Sequence, residues 1–276
     1  VKLLTDGECD ALCARIPVFS LERAMSETIL YRRRGAIAEL TLNCPERHNS
    51  LGRRELDGIH TALTAVSEDD EVRVLVVSGA GDKTFCAGAS LREMESGEIS
   101  GDDYQAMTDM VAALSIPTVC GLNGNAFGGG VELALSCDFR IGVEGSRMRV
   151  PAAAIGLCYP RAGIEKIVSK LGITMAKRLL IAAETFSADE MLQNGVLDHL
   201  VMRAQFKEFV QHYAEQIAAL APLSVQAMKS LIAAAAAGPV DKALYEELAR
   251  RCNESADLRE GLAAVGEKRP AVFRGC

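Results

Sequence analysis

The sequence predicts an α/β protein: a largely parallel sheet wrapped by helices, followed by a helical C-terminal part. Three observations lead there. Residues 72–77 read VRVLVV, a continuous apolar run that suits a strand covered on both faces. Strand, helix and strand patterns recur through about residue 145, with the logic of a parallel sheet. From residue 162 onward, helical periodicity takes over.

The elements follow in order. Residues 28–33 and 36–42 alternate in polarity around Gly35, which reads as a hairpin. Residues 53–66 have helical spacing, with Leu56, Ile59, His60 and Leu63 on one face. After the strand at 72–77 come a loop over 79–88 and a helix over 102–114. Residues 117–122 read as a second buried strand, 123–130 as a glycine-rich loop, 131–137 as a helix and 138–143 as a further strand. Residues 188–194, 203–220, 223–237 and 240–252 read as helices. The third of these ends in five alanines, a strong helix former stopped by Gly238-Pro239. Composition shifts near residue 200, which predicts a core over 25–200 and a helical region over 201–276. Residues 1–24 lack a basic segment followed by a continuous apolar one, so they do not read as a signal peptide. Met25 opens the structured part, and residues 1–24 are expected to be an extension outside the core.

Composition narrows the function. The 276 residues are 49% apolar and 24% charged, a globular balance with enough chain to bury a core without disulfide or metal staples. Trp is absent and aromatics are 5%, so Ala, Val, Leu and Ile must build that core. The net charge of −7 offers no basic field for a nucleic acid or an anionic membrane. No apolar run reaches the length of a membrane-spanning helix. Nine cysteines include no CxxC pair, and Cys9 and Cys13 lack partners at zinc-finger spacing. Buried, reduced thiols in a cytoplasmic protein are expected, with no metal site. His48, His60, His199 and His212 are scattered without metal-ligand spacing and read as solvated or structural.

Two loops carry the chemistry. After the strand at 117–122 comes Asn123-Gly124-Asn125-Ala126-Phe127-Gly128-Gly129-Gly130-Val131-Glu132-Leu133. Three glycines at a helix start expose backbone N–H groups at the positive end of the helix dipole, where they suit a phosphate or an oxyanion. Glu132 falls in the first turn of an otherwise apolar helix, where a carboxylate is expensive unless it pairs or works. The plainer alternative makes Glu132 an exposed acid that offsets the dipole. After the strand at 72–77, Ala87-Gly88-Ala89 likewise lets a ligand approach the backbone closely. Two such turns can aim two N–H groups at one carbonyl oxygen, the requirement for stabilising an enolate or tetrahedral oxyanion. A dinucleotide fingerprint is the weaker reading. Gly124-x-Ala126-x-x-Gly129 has Ala126 at its middle glycine, and Glu132 sets negative charge beside the pyrophosphate. No GxSxG nucleophile elbow occurs.

These residues resemble a known family. The segments are Phe85-Cys86-Ala87-Gly88-Ala89-Ser90-Leu91-Arg92-Glu93-Met94, Asn123-Gly124-x-Ala126-x-Gly128-Gly129-Gly130-x-Glu132-Leu133, Cys137-Asp138 and Glu267-Lys268-Arg269-Pro270. Together with the turn Pro45-Glu46-Arg47-His48-Asn49-Ser50-Leu51, they resemble in collinear order the crotonase superfamily of enoyl-CoA hydratases and isomerases. The resemblance implies an α/β crotonase-like spiral of ββα units with a helical C-terminal trimerisation region, assembled as a homotrimer or a dimer of trimers. It implies an acyl-CoA thioester substrate, with coenzyme A part of that substrate and no separate cofactor. The oxyanion hole is then the N–H groups of Ala89 and Gly129, and Glu132 is the catalytic carboxylate. Contacts to CoA and substrate fall to Arg47, Asn49, Ser50, Leu51, Ala87, Gly88, Ser90, Leu91 and Gly128, with Lys268 from a neighbouring subunit. The helices between 223 and 265 carry more Ala, Leu and Val than one small core covers, which also points to an assembly.

One departure matters. Where many family hydratases have Pro-Glu-x-x-x-Gly, this chain has Pro151-Ala152-Ala153-Ala154-Ile155-Gly156, so Ala152 stands at the position of the second carboxylate. Hydration of an enoyl thioester needs a base for water and an acid for the α-carbon. One carboxylate can serve both through a single water, or shuttle a proton between two carbons, which is isomerisation. Hydration of a 2-trans-enoyl-CoA is the leading expectation. Isomerisation, decarboxylation or hydrolysis of an acyl-CoA, and a catalytically silent CoA-thioester binder stay open. Tyr159 and Glu165 are the candidates for a second polar group.

Overall fold

A computed structural model of the chain describes residues 23–276. Residues 1–22, most of the expected extension, lie outside the described residues and include Cys9 and Cys13. Two sheets organise the rest. The larger has the order β1 (Arg23–Ser26), β2 (Ile29–Arg34), β3 (Ile37–Leu42), β4 (Val74–Gly79), β6 (Thr118–Leu122), β8 (Phe139–Val143), β11 (His199–Val201). The first three strands are antiparallel, turning at Gly35 as the alternation predicts, and each pairing from β3 to β11 is parallel. The smaller sheet has the order β10 (Phe186–Ser187), β9 (Arg147–Arg149), β7 (Asn125–Phe127), β5 (Thr84–Cys86). Its β5, β7 and β9 run parallel.

The chain alternates between the sheets. Strand β4 feeds β5, then helices α2 (Leu91–Ser96) and α3 (Gly101–Ala113). Strand β6 feeds β7 and α4 (Gly129–Ser136), and β8 feeds β9 and α5 (Arg161–Ala176). Each turn is thus a ββα unit, the spiral that the resemblance implies. The loops predicted over 79–88 and 123–130 contain β5 and β7, strands of three residues, too short for an alternation to show. Phe127 and Asn125 stand in that strand, so the segment 124–129 is not a dinucleotide turn.

The apolar run in β4 has a simple cause. Leu75 and Val77 face the main core, with Leu40, Leu42, Leu63, Phe85, Leu122 and Leu133. Val74 and Val76 face the opposite way, into a second core with Val119, Ile141, Val143 and the Phe206, Val210 and Ala214 of α7 (Phe206–Ala218). Both faces are covered, so alternation disappears from the sequence. Helix α1 (Arg53–Ser67) buries an arc centred on Ile59 that takes in Glu55, Leu56, Ala62, Leu63 and Val66. That rotation leaves His60 exposed, contrary to the face read from spacing. Glu55 is held at the helix start by the Gly52 N–H at 2.8 Å and by Arg47 Nη2 at 2.8 Å.

Beyond β11 the chain is helical, as its composition predicts: α6 (Ala188–Gln193) precedes that strand, and α7, α8 (Pro222–Ala237), α9 (Lys242–Glu254) and α10 (Ala256–Glu267) follow it. Among α8 to α10 only Ala227, Asp257 and Ala264 are buried. What ties α8 to the sheet is charge. Lys229 Nζ donates to Asp138 Oδ2 at 2.7 Å and to the Ile116 carbonyl at 2.8 Å. The same Asp138 oxygen accepts from the Thr118 N–H and hydroxyl. The Asp138 of the Cys137-Asp138 motif is therefore a junction between β6, β8 and α8.

Four described cysteines, Cys44, Cys86, Cys120 and Cys137, are buried free thiols as expected. Cys158 and Cys276 are exposed and Cys252 is half-buried, because they lie on a loop, a terminus and an open helix. Among the described residues no single helix is long and apolar enough to cross a membrane.

The Lys229 junction generates a test. Lys229→Met keeps the stem and removes a charge-assisted bond, leaving Asp138 without its cation. Hydrogen bonds to charged groups contribute about 1.5–3 kcal/mol, and urea unfolding is expected to show a loss of about 2 kcal/mol. An unchanged midpoint contradicts the role of this pair in docking α8.

Candidate active site

The C-terminal ends of β5, β7 and β9 release three loops at one place. Ala87 and Ala89 follow β5, Gly128 and Gly129 follow β7, and Val150, Pro151 and Ala152 follow β9. They line a cavity of about 180 Å³, together with Leu91, Met94, Tyr104, Gln105, Glu132, Ile155, Leu157, Tyr159 and Pro160.

Glycines let the first two loops touch. A Cβ on Gly88, whose φ is +87°, would lie 2.6 Å from the Gly129 nitrogen and 2.9 Å from the Phe127 carbonyl oxygen. A Cβ on Gly130 would lie 2.2 Å from the Cys86 carbonyl oxygen. A Cβ on Gly129 would lie 2.5 Å from the Tyr104 ring. The glycine run is thus a consequence of three separate close approaches. Neither the Ala89 nor the Gly129 N–H meets an acceptor among the described residues. Both belong to loops in contact, and Gly129 is the first residue of α4, where N–H groups are unpaired by construction of the helix.

Glu132 is buried at 4% exposure, which rejects the reading as a surface acid. Its two oxygens are held differently. Oε2 accepts from the Tyr159 hydroxyl at 3.1 Å. Oε1 accepts from the Thr108 hydroxyl at 3.2 Å, with Lys166 Nζ 3.8 Å away. Lys166 is itself fixed. It donates to Thr108 Oγ1 and Ser136 Oγ, each at 2.9 Å, and reaches Asp109 at 3.4 Å. The Ser136 hydroxyl donates to the Glu132 carbonyl at 2.8 Å. A buried carboxylate persists only when paired and hydrogen-bonded, and this arrangement supplies both.

Burial, then the charge of Glu132, pushes the Tyr159 phenol well above its ordinary value. Burial likewise raises Tyr104, whose hydroxyl lies beside the soft thiol of Cys86 without a conventional partner. Ala152 is 5% exposed and shares the cavity with Glu132. A methyl group, and no second carboxylate, therefore stands at residue 152 in the space that Glu132 shares.

The other expected residues divide. Leu91 lines the cavity and is exposed at its mouth. Ser90 caps α2 through the Glu93 N–H. In the turn after β3, the Asn49 amide donates to the Ala80, Thr84 and Phe85 carbonyls, and Leu51 is fully buried. Their side chains serve the turn itself, which runs alongside the 87–90 loop through Ala87 N–H to His48 and Leu51 N–H to Gly88. Arg47 and Ser50 keep exposed surface. Lys268 is exposed at the end of α10 and does not line the cavity within one chain. Glu165 is exposed beside Arg161 and takes no part. Thr108, Lys166 and Tyr104 were not singled out by the sequence. Thr108 and Tyr104 lie one helical turn apart on α3, a spacing that signals only a shared face.

A spiral of ββα units whose two parallel-strand loops meet at a cavity with a buried carboxylate matches the crotonase class of α/β fold that the sequence resembles. The comparisons agree. The family model for enoyl-CoA hydratase/isomerase matches residues 32–275. A crotonyl-CoA hydratase of Syntrophomonas wolfei is 32% identical over 255 residues, 90% of this chain and 98% of its own. A short-chain-enoyl-CoA hydratase of Clostridium acetobutylicum is 29% identical over 248 residues, 87% of this chain and 95% of its own. The crystal structure of an enoyl-CoA hydratase/carnithine racemase from Magnetospirillum magneticum superposes with a TM-score of 0.85 at 30% identity, covering 91% of this chain and 97% of that one. The chain belongs to the enoyl-CoA hydratase/isomerase family.

The loop contact has a direct test. Gly130→Ala forces the α4 and β5 segments apart, and overpacking of this kind costs about 1–3 kcal/mol. Chemical denaturation is expected to register that loss. A variant as stable as the parent contradicts the close approach.

Proposed function

We propose that this protein hydrates 2-trans-enoyl-CoA thioesters. The observation that carries the reading is the buried Glu132 carboxylate in the same apolar cavity as the free N–H groups of Ala89 and Gly129. As water attacks the β-carbon, charge moves to the thioester oxygen. Two fixed amides stabilise it there, and one such donor is worth about 2.7–4 kcal/mol of barrier. Glu132 takes the proton of the attacking water. The cavity volume suits a short acyl chain. Arg47, Ser50 and the 87–91 loop contact the CoA portion, and Lys268 reaches it from a neighbouring subunit. Isomerisation is the second reading, because a lone carboxylate can carry one proton between two carbons.

The assembly follows from the C-terminal helices. Met228, Ile232, Tyr245, Leu262 and Val265 are exposed apolar side chains on α8 to α10, and surfaces of this kind mark interfaces. A homotrimer or a dimer of trimers covers them. Free thiols at Cys158 and Cys276 suit the reducing cytoplasm.

Two outcomes are expected. Glu132→Gln lowers hydration of crotonyl-CoA about 10²–10⁴-fold while thioester binding is kept. Parent-like turnover removes Glu132 from the chemistry. Light scattering shows a trimer or hexamer at micromolar protein, and a stable monomer contradicts the interface.

A further inference from the structure

Ala152 leaves the cavity without a second carboxylate, yet hydration needs a proton at the α-carbon as well as a base for water. Of the three groups with protons facing Glu132, namely Thr108, Lys166 and Tyr159, only Tyr159 lines the cavity. Its hydroxyl donates to Glu132 Oε2 at 3.1 Å. The pair is held from behind by Gly163 in the first turn of α5. A Cβ there would lie 2.4 Å from Tyr159 Cε1 and 2.8 Å from Glu132 Oε2. The other carboxylate oxygen is committed to Thr108 and Lys166. Oε2 is therefore the oxygen free to exchange protons, and Tyr159 is the group it exchanges with.

We propose that Tyr159 is a second catalytic residue of this site, the acid that protonates the α-carbon in place of the missing carboxylate; this rests on the hydratase reading above. The step balances with water and the enoyl thioester alone. The oxygen of water bonds to the β-carbon while one of its protons passes to Glu132 Oε2. The π pair of the double bond moves toward the thioester, and the enolate oxygen is held by the Ala89 and Gly129 N–H groups. The enolate pair then takes the Tyr159 proton to form the new bond at the α-carbon. The resulting phenolate recovers a proton from the protonated Glu132 across their hydrogen bond, and both groups return to their starting states. A phenol raised by burial stays protonated through the working range, so the acid is in place at each turnover.

The test compares three proteins on crotonyl-CoA: the parent, Tyr159→Phe and Glu132→Gln. Tyr159→Phe is expected to lower kcat about 10²–10³-fold, within the range for loss of a general acid. KM changes little, and the solvent deuterium isotope effect on kcat rises as α-protonation becomes limiting. A structural role for the hydroxyl lowers stability without raising the isotope effect. Parent-like kcat in Tyr159→Phe, with Glu132→Gln inactive, overturns the role of Tyr159 and leaves the hydratase reading standing. Activity in Glu132→Gln removes Glu132 from the reaction, and no turnover of crotonyl-CoA by the parent overturns the hydratase reading. Should Tyr159→Phe not fold, a fluorinated tyrosine at 159 keeps the shape and lowers the phenol pKa. The alkaline limb of kcat then moves to lower pH, and an unmoved limb overturns the proposal.

Discussion

The buried carboxylate of Glu132 is the constraint around which this molecule is arranged. An unpaired charge in an apolar cavity costs several kcal/mol even after relaxation, on the order of the whole stability of a domain. Partners for it come from three elements: Thr108 on α3, Lys166 on α5 and Tyr159 on the loop before α5. Those elements must therefore close on α4 in one geometry. The closure shapes the cavity, and the same helix start that presents Glu132 presents the Gly129 amide.

The second demand is contact between two backbone loops. Gly88 and Gly130 allow it sterically, and the Tyr104 ring backs Gly129 from the far side. Asymmetry around the carboxylate then divides the labour. A cation and a hydroxyl fix Oε1, whereas Oε2 meets a neutral phenol and the cavity. One side of the carboxylate is anchored, and in the proposed hydration the other carries the proton.

Much of this was legible in the sequence, and the limits have physical causes. Continuous apolar runs announced β4 and β6 because both faces of those strands are covered. The glycine run announced the close approach of two backbone loops, and an acid inside an apolar helix announced a buried carboxylate beside them. Strands β5 and β7 stayed hidden because three residues carry no period. His60 fell on the wrong side because spacing gives a face but not the rotation of that face in three dimensions. The partners of Glu132 were least legible. Lys166 reads as an ordinary surface lysine of a helix, and only the packing of α5 on α4 buries its stem and brings its ammonium to Oε1. Tyr159 was in view as a candidate, but nothing local told it apart from Glu165, which turns outward to Arg161.

The central claim, that the cavity adds water to an enoyl thioester, is tested most directly by following crotonyl-CoA with the parent protein in heavy-oxygen water by mass spectrometry. The account predicts a product heavier by one water, with the heavy oxygen on the β-carbon and formed catalytically over the protein present. A product of unchanged mass, or recovery of the thioester unaltered while it still raises the melting temperature, contradicts it.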